Sequence, residues 1–281
     1  MTEGPDDGDH TGGSEDPREA EQYHLEVADG DVADAVLLPG DPDRVAKIVD
    51  CWDGHEVVAD HREYRTATGT HDGTAISVTS TGIGSPSAAI AVEELARVGA
   101  DTLIRVGSCG AIQPETDIGD LVITTGGVRQ EGTSSEYVRG EYPAVADHAV
   151  VAALAAAAEE LGYDYHLGRT ASTDSFYAGQ SRDGFGGFRA RGADERIEEL
   201  RRAGVLNFEM EASAILTLAG LYGLRAGAVC TVYADRTTGE FRVTGEERAA
   251  KTASKAVSLL AEMDDRVEEE GASAWHAGLG L

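Results

Sequence analysis

The sequence predicts an α/β layer fold, and three observations carry that expectation. Short runs rich in Val, Ile and Leu alternate with amphipathic segments, several of those runs end in glycine and hydroxyl residues just ahead of a helix, and no internal repeat or interior linker interrupts the order. Residues 36–39 read as the first strand, which turns at Gly40 into a helix with Asp41 as N-cap and Pro42 at the first helical position. A strand over 75–80 leads through a turn at 82–84 to a helix that starts at Ser85 and Pro86 and runs to 98. The strand at 102–106 is followed by Gly107-Ser108-Cys109-Gly110, which reads as a third glycine-rich turn. Next come a strand over 121–125 and an Ala-rich helix over 147–161. A strand over 205–208 feeds a helix over 209–222, in which Ala212, Ile215, Leu216 and Ala219 share one face. An apolar strand over 226–233 and a helix from 244 complete the series.

All of this falls in one domain, residues 22–270. Ahead of it, 1–21 holds eight acids, four glycines and two prolines without hydrophobic period, the composition of a disordered acidic tail. Behind it, 271–281 reads as a flexible tail. The 281 residues include 51 Asp+Glu against 23 Lys+Arg, a formal net charge of −28. That balance excludes a nucleic-acid partner, because phosphate-backbone affinity needs a positive surface. The longest apolar runs reach about half of the roughly 20 residues a membrane span needs, and no basic start followed by an apolar stretch marks a secretory signal. The expectation is a cytoplasmic chain with no membrane partner. Only Lys47, Lys251 and Lys255 are lysines; every other cation is arginine. So acidic a chain repels itself in dilute salt and is relieved in molar salt, where the screening length falls to roughly 3 Å, so a halophilic setting is expected. Cys51, Cys109 and Cys230 are too scattered for a disulfide framework or a zinc spacing, and read as reduced thiols.

Backbone N–H groups at strand–glycine–helix turns form anion sites, and three such turns on one sheet point to a single phosphate-handling cleft. Gly82-Ile83-Gly84-Ser85-Pro86-Ser87 approaches a dinucleotide fingerprint, but Ser87 stands where its last glycine belongs, so tight packing of the turn is the better reading and a nicotinamide-dependent oxidoreductase is excluded. No ATP-cradling P-loop is present. Arg44, one turn into a helix, and Arg105, inside an apolar strand, each need an anionic partner, either an internal carboxylate or a ligand. Glu209-Met210-Glu211 at a strand–helix junction either serves the helix dipole or accepts the two hydroxyls of a ribose. Phe176, Gln180 and Arg182 lie within seven residues; the amide and guanidinium match a uracil edge and the ring can stack, although a polar surface loop has the same composition.

Seven blocks, LLPGDPDRV (37–45), HREY (61–64), STGIGSPSAAIAVEEL (80–95), IRVGSCGAIQP (104–114), YPAVAD (142–147), TASTDSFYAGQSR (170–182) and NFEMEASAIL (207–216), resemble the nucleoside phosphorylase family in family order, and most closely its members that act on uridine. The resemblance implies a three-layer αβα fold with a central mixed, twisted, partly barrel-like sheet. It implies reversible phosphorolysis of uridine to uracil and ribose 1-phosphate, with no redox cofactor and no covalent enzyme intermediate. Phosphate would meet Gly40, Arg44, Arg105 and Ser108, with Arg62 from a neighbouring subunit. Ribose would meet Met210 and Glu211, with His24 from the neighbour at the 5′-hydroxyl. Phe176, Gln180, Arg182, Tyr233 and Ala234 would surround the base, and Arg105, Gln180 and Arg182 carry the catalysis. The resemblance also implies a homohexamer built as a trimer of dimers, with a structural potassium ion at Glu63, Ile83 and Ser87. Three departures keep a purine or broad-specificity phosphorylase as an alternative: Cys109 stands where the uridine-acting members carry threonine, Tyr233 and Ala234 replace aliphatic residues, and Asp235 lies near the place of a purine-protonating aspartate. A nucleoside hydrolase or a non-catalytic nucleoside binder is the more distant reading, since neither needs the anion cradle.

Overall fold

Strand and helix alternate as expected in the computed structural model, which describes residues 21–280; the acidic tail expected over 1–21 lies, Glu21 apart, outside the described residues. The strands are β1 (Ala35–Pro39), β2 (Gly54–His61), β3 (Tyr64–His71), β4 (Thr74–Thr79), β5 (Thr102–Ala111), β6 (Leu121–Gln130), β7 (Ala144–Val145), β8 (Tyr165–Thr173), β9 (Val205–Glu209) and β10 (Arg225–Asp235). The helices are α1 (Asp43–Val49), α2 (Ser85–Arg97), α3 (Thr133–Tyr137), α4 (His148–Glu160), α5 (Ala193–Arg202), α6 (Ala212–Tyr222) and α7 (Glu246–Glu270), with short 3₁₀ turns at Phe185–Gly187 and Ala277–Leu279.

One sheet holds all ten strands, in the order β10-β6-β8-β9-β5-β1-β4-β3-β2, with β7 beside β6. A further pairing of β10 with β5 closes the first five strands into a ring. The sheet is therefore part barrel and part open wing. It is mixed: β5 runs parallel to β1 and β10 but antiparallel to β9, and the β2–β3–β4 meander is antiparallel. β1 is buried on both faces, and its alternation divides the core. Leu37 joins Ile104 under α1, α4 and α7, while Val36 and Leu38 join Leu103 under α2 and α6. Helices on both faces of a sheet are the three layers the sequence implied.

Four expectations need correction. Helix α1 begins at Asp43, with Pro42 as N-cap. Asp41 instead accepts the Asp43 N–H at 3.0 Å, a side-chain turn two residues long that delays the helix. The Gly107–Gly110 run is not a turn. It is the second half of β5, held extended because β10 pairs along one edge, to Asp235↔Ala111, and β9 takes the other at Gly110↔Phe208. Glu209 ends β9 rather than opening a helix, since α6 starts at Ala212. The last helix starts at Glu246. Beyond α7 the chain folds back: Trp275 packs against the α4–α7 core, its indole N–H donates to the Gly280 carbonyl at 3.1 Å, and its carbonyl meets the His148 ring. Among the described residues no helix is long and apolar enough to cross a membrane, and all three cysteines are free, with Cys109 and Cys230 buried.

Candidate active site

The site forms where the carboxyl ends of β1, β4, β5 and β9 meet. The turns after β1 and β4 abut so closely that a Cβ on Gly40 would stand 3.1 Å from the Gly82 carbonyl, and Gly82 itself has φ +69°. Thr81 N–H donates to the Pro39 carbonyl at 2.8 Å and ties the two turns together. Arg44 rises from α1 beside them. Its Nη2 is 3.4 Å from Ser108 Oγ, its Nε donates to Glu246 at 3.1 Å, and its guanidinium lies 5.7 Å from the centre of the Tyr233 ring.

Arg105, 5 % exposed, starts lower on β5 and runs up the strand across Gly107. A Cβ there would lie 3.0 Å from Arg105 Nη2 and 2.8 Å from Cys230 Sγ, so only glycine leaves the path open. Arg105 Nε donates to Glu209 at 2.6 Å and Nη2 pairs with Glu211, while Nη1 is buried with no partner. Internal acids therefore meet two of its nitrogens, and the third is buried without a hydrogen-bond partner among the described residues. Burial works against the charge, but Glu211 and Glu209 outweigh it and hold the guanidinium above its usual range.

Glu209 is the hub behind them. Besides Arg105 it accepts Ser172 Oγ–H and the backbone N–H groups of Glu211 and Ala212, which caps α6. Glu211 accepts the Gly84 N–H, so the β4–α2 turn and the β9–α6 junction share one carboxylate. Ser85 Oγ donates to the Met210 carbonyl at 2.8 Å across the same seam. Burial, reinforced by Glu209 and opposed by Arg105 and the Gly84 N–H, pushes the Glu211 carboxyl up to about 6.

Arg44, Arg105, Ser108, Met210 and Glu211 line a cavity of about 500 Å³ together with Gly40, Asp41, Pro42, Gly82, Ile83 and Phe176. That size suits a small ligand of a few rings. Phe176 leads to the other arginines. Arg182 sits with Cζ 4.4 Å from its ring centre and Nη2 close to Gly110, two residues above Ser108. Arg236 Nη1 donates to the Gln180 carbonyl at 2.9 Å, which holds the Gln180–Arg182 loop against the end of β10. Burial lowers Arg182, and burial together with Arg182 and Arg189 pulls Arg236 down to about 10. Of the residues expected around the base, Phe176 alone lines the cavity; Gln180, 3 % exposed, Arg182, Tyr233 and Ala234 do not.

Other expected residues stand apart. His24 and Arg62 are neighbours away from this cavity: Tyr23 stacks edge-on with His24 and carries Arg62 at 5.6 Å, and His24 Nδ1 lies 2.6 Å from buried Glu94. His24 lines a separate surface hollow of about 590 Å³ with Glu93, Arg97 and Tyr137. Of the residues expected to hold potassium, Glu63 approaches Gly82 through its Cβ and Cγ and Ser87 through its Oγ, which also donates to the Ile83 carbonyl at 3.4 Å. Cys109 is buried with Ala111, Val122, Cys230 and Val232, and its missing hydroxyl is not a loss to the cavity. Tyr233 underlies Arg44, while buried Ala234 bridges to Phe241. Asp235 accepts the N–H and O–H groups of Thr237 and Thr238. Burial raises its carboxyl, those hydrogen bonds outweigh it, and the group ends below the usual range, a poor proton donor.

Three participants escape a sequence reading. Glu209 reads as a dipole residue or a ribose acceptor rather than as a partner of Arg105, Glu246 as one acid among fifty-one, and Arg236 carries only the signal it shares with Arg44 and Arg105, an arginine in an anionic chain.

Residues 34–264 match the sequence profile of the phosphorylase superfamily. A uridine phosphorylase of Thermococcus kodakarensis is 59% identical over 93% of this chain and 94% of its own length. A guanosine phosphorylase of Halorubrum lacusprofundi is 45% identical over 76% of this chain and 83% of its own. The uridine phosphorylase of Escherichia coli is 43% identical over 87% and 97%.

Proposed function

The chain belongs to the phosphorylase superfamily, and we propose that its reaction is the reversible phosphorolysis of uridine to uracil and ribose 1-phosphate. The observation that carries this reading is the convergence of Arg44, Arg105, Ser108, Phe176, Met210 and Glu211, drawn from four separate segments, on one cavity that leaves Arg105 Nη1 unpartnered. Inorganic phosphate fits against Arg105 Nη1, Arg44, Ser108 and the Gly40 backbone. Glu211 then faces the ribose hydroxyls beside Met210. Phosphate attacks C1′ as the glycosidic bond breaks, its negative charge offsets the oxocarbenium character of the sugar, and the electron pair leaves with the base. Arg182, stacked on the Phe176 ring at the cavity wall, stabilises the departing uracil anion, charge stabilisation of the kind found in an oxyanion hole. Binding both reactants in line supplies much of the remaining acceleration.

The charge balance argues for an oligomer. Within one chain Arg44, Arg105 and Lys47 are balanced by Glu209, Glu211 and Glu246, so a phosphate dianion needs a further cation. Arg62, stacked at the surface beside His24, supplies it from a second copy, and His24 reaches the 5′-hydroxyl in the same way. We assign the assembly to a homohexamer of three such dimers. We assign the expected potassium ion to Glu63, Ile83 and Ser87; the stem of Glu63 and the Ser87 hydroxyl both approach Gly82, and Ser87 donates to the Ile83 carbonyl. A cytoplasmic, salt-rich setting accounts for the charge of −28. It predicts a Tm that climbs steeply between dilute and molar KCl, and an unchanged Tm contradicts it.

A second reading, guanosine as substrate, is favoured by the 45% identical relative. The engaged, acid-shifted Asp235 speaks against it, because purine release calls for a proton donor at the base. Uridine, thymidine, guanosine and inosine incubated separately with phosphate decide the matter. Uridine turning over fastest is expected; guanosine ahead of uridine reverses the assignment.

A further inference from the structure

Arg44 reaches the cavity from a short helix at the molecular edge, and what fixes its aim is a residue of the last helix. Glu246, the first residue of α7, accepts from Arg44 Nε at 3.1 Å through one oxygen and from Lys47 Nζ at 2.6 Å through the other. α7 is anchored without help from Arg44: Arg248 donates to the Gly119 carbonyl at 2.8 Å and lies 5.5 Å from the Tyr163 ring centre. Glu246 is thus a fixed post. By occupying Nε it turns the far end of the guanidinium toward Ser108 and the cavity, where, among the described residues, its further polar and ring contacts are the 3.4 Å approach to Ser108 Oγ and the Tyr233 ring.

We propose that Glu246 is a positioning residue for phosphate, holding Arg44 in the orientation that the anion needs while Lys47 cancels the charge that the carboxylate would otherwise set against it. This rests on the phosphorolysis reading above. The Glu246–Arg44–Lys47 group carries one net positive charge, so the carboxylate orients without repelling. Simple electrostatics makes the opposite forecast for its removal. A lone negative group near an anion site, once deleted, tightens anion binding; a positioning group, once deleted, weakens it.

Steady-state kinetics with phosphate and uridine varied separately test the proposal. For Glu246→Ala the phosphate KM is expected to rise about tenfold with the uridine KM within about twofold. Glu246→Gln, whose amide oxygen still accepts from Arg44 Nε, restores phosphate KM to within about threefold of the parent. Glu246→Asp keeps the charge but withdraws it by one methylene, and it serves if the alanine variant folds poorly; its phosphate KM rises as well. Lys255→Ala, which breaks surface pairs with Asp72 and Glu160, leaves both constants unmoved. A phosphate KM that is unchanged or lowered in Glu246→Ala and Glu246→Asp, or a rise shared equally by both substrates, overturns the proposal. Uracil release by the parent enzyme that ignores phosphate overturns the phosphorolysis reading and this inference with it.

Discussion

The two arginine pairs of this molecule are held in opposite ways. At the phosphate end Arg44 and Arg105 stand on α1 and β5, and each is gripped by internal carboxylates, Glu246 for one and Glu209 with Glu211 for the other. At the base end Arg182 rests on the Phe176 ring and Arg236 on backbone carbonyls; burial lowers both, and repulsion from Arg182 and Arg189 adds to it at Arg236. Acid partners give rigidity and spend charge. An aromatic face and carbonyl oxygens give looser support and leave the charge for a ligand. The phosphate end is thus built into the fold, and the base end is a recognition loop laid over it.

If that contrast is right, the same substitution has different consequences at the two ends. Arg105→Ala strands Glu209 and Glu211 as buried like charges, so it costs about 3–5 kcal/mol of stability as well as nearly all phosphorolysis. Chemical denaturation of the variant reads the loss; a variant as stable as the parent breaks the comparison. Arg182→Ala should lower uridine turnover roughly a hundredfold or more, the scale of losing one charge-stabilising donor, and leave stability and phosphate KM almost untouched. A uridine rate within a few-fold of the parent would show that the base is held elsewhere.

A smaller effect comes from pH. Glu211 is raised to about 6, and ribose hydroxyls need its carboxylate form, so kcat/KM for uridine falls as pH drops through about 6. The sign for stability is the reverse. A carboxyl that binds its proton more tightly when folded adds stability below the unfolded value of about 4.5, and that contribution is lost as pH rises through about 6. Paired pH–rate and pH–stability curves therefore move in opposite directions across this window, and curves that fall together toward acid contradict the assignment. The least effect belongs to Asp235→Ala. Its hydrogen bonds are local, so uridine phosphorolysis should change less than about threefold, whereas a large loss of purine activity would revive the guanosine reading.

The core was legible because β1 and β5 are apolar on both faces and their neighbours have clear helical period. The β2–β3 hairpin was not, because β2 is mostly exposed and its residues do not alternate in polarity. Gly107–Gly110 misleads for a tertiary reason: glycine and serine read as a turn until two neighbouring strands supply hydrogen bonds on both edges. At the site, Arg44 and Arg105 could be named because a buried guanidinium is costly without an anionic partner, Glu211 because it stands at a strand–helix junction, and Ser108 through the family resemblance. What stayed hidden was the supporting shell. Glu209, Glu246 and Arg236 act through residues up to 202 positions away, and no local pattern encodes such a pairing.

Phosphorus NMR of the enzyme with uridine and inorganic phosphate, run beside a phosphate-free control, tests the central claim most directly. The account predicts ribose 1-phosphate appearing in step with uracil, and no base release in the control. Free ribose, formed at the same rate with or without phosphate, would contradict it.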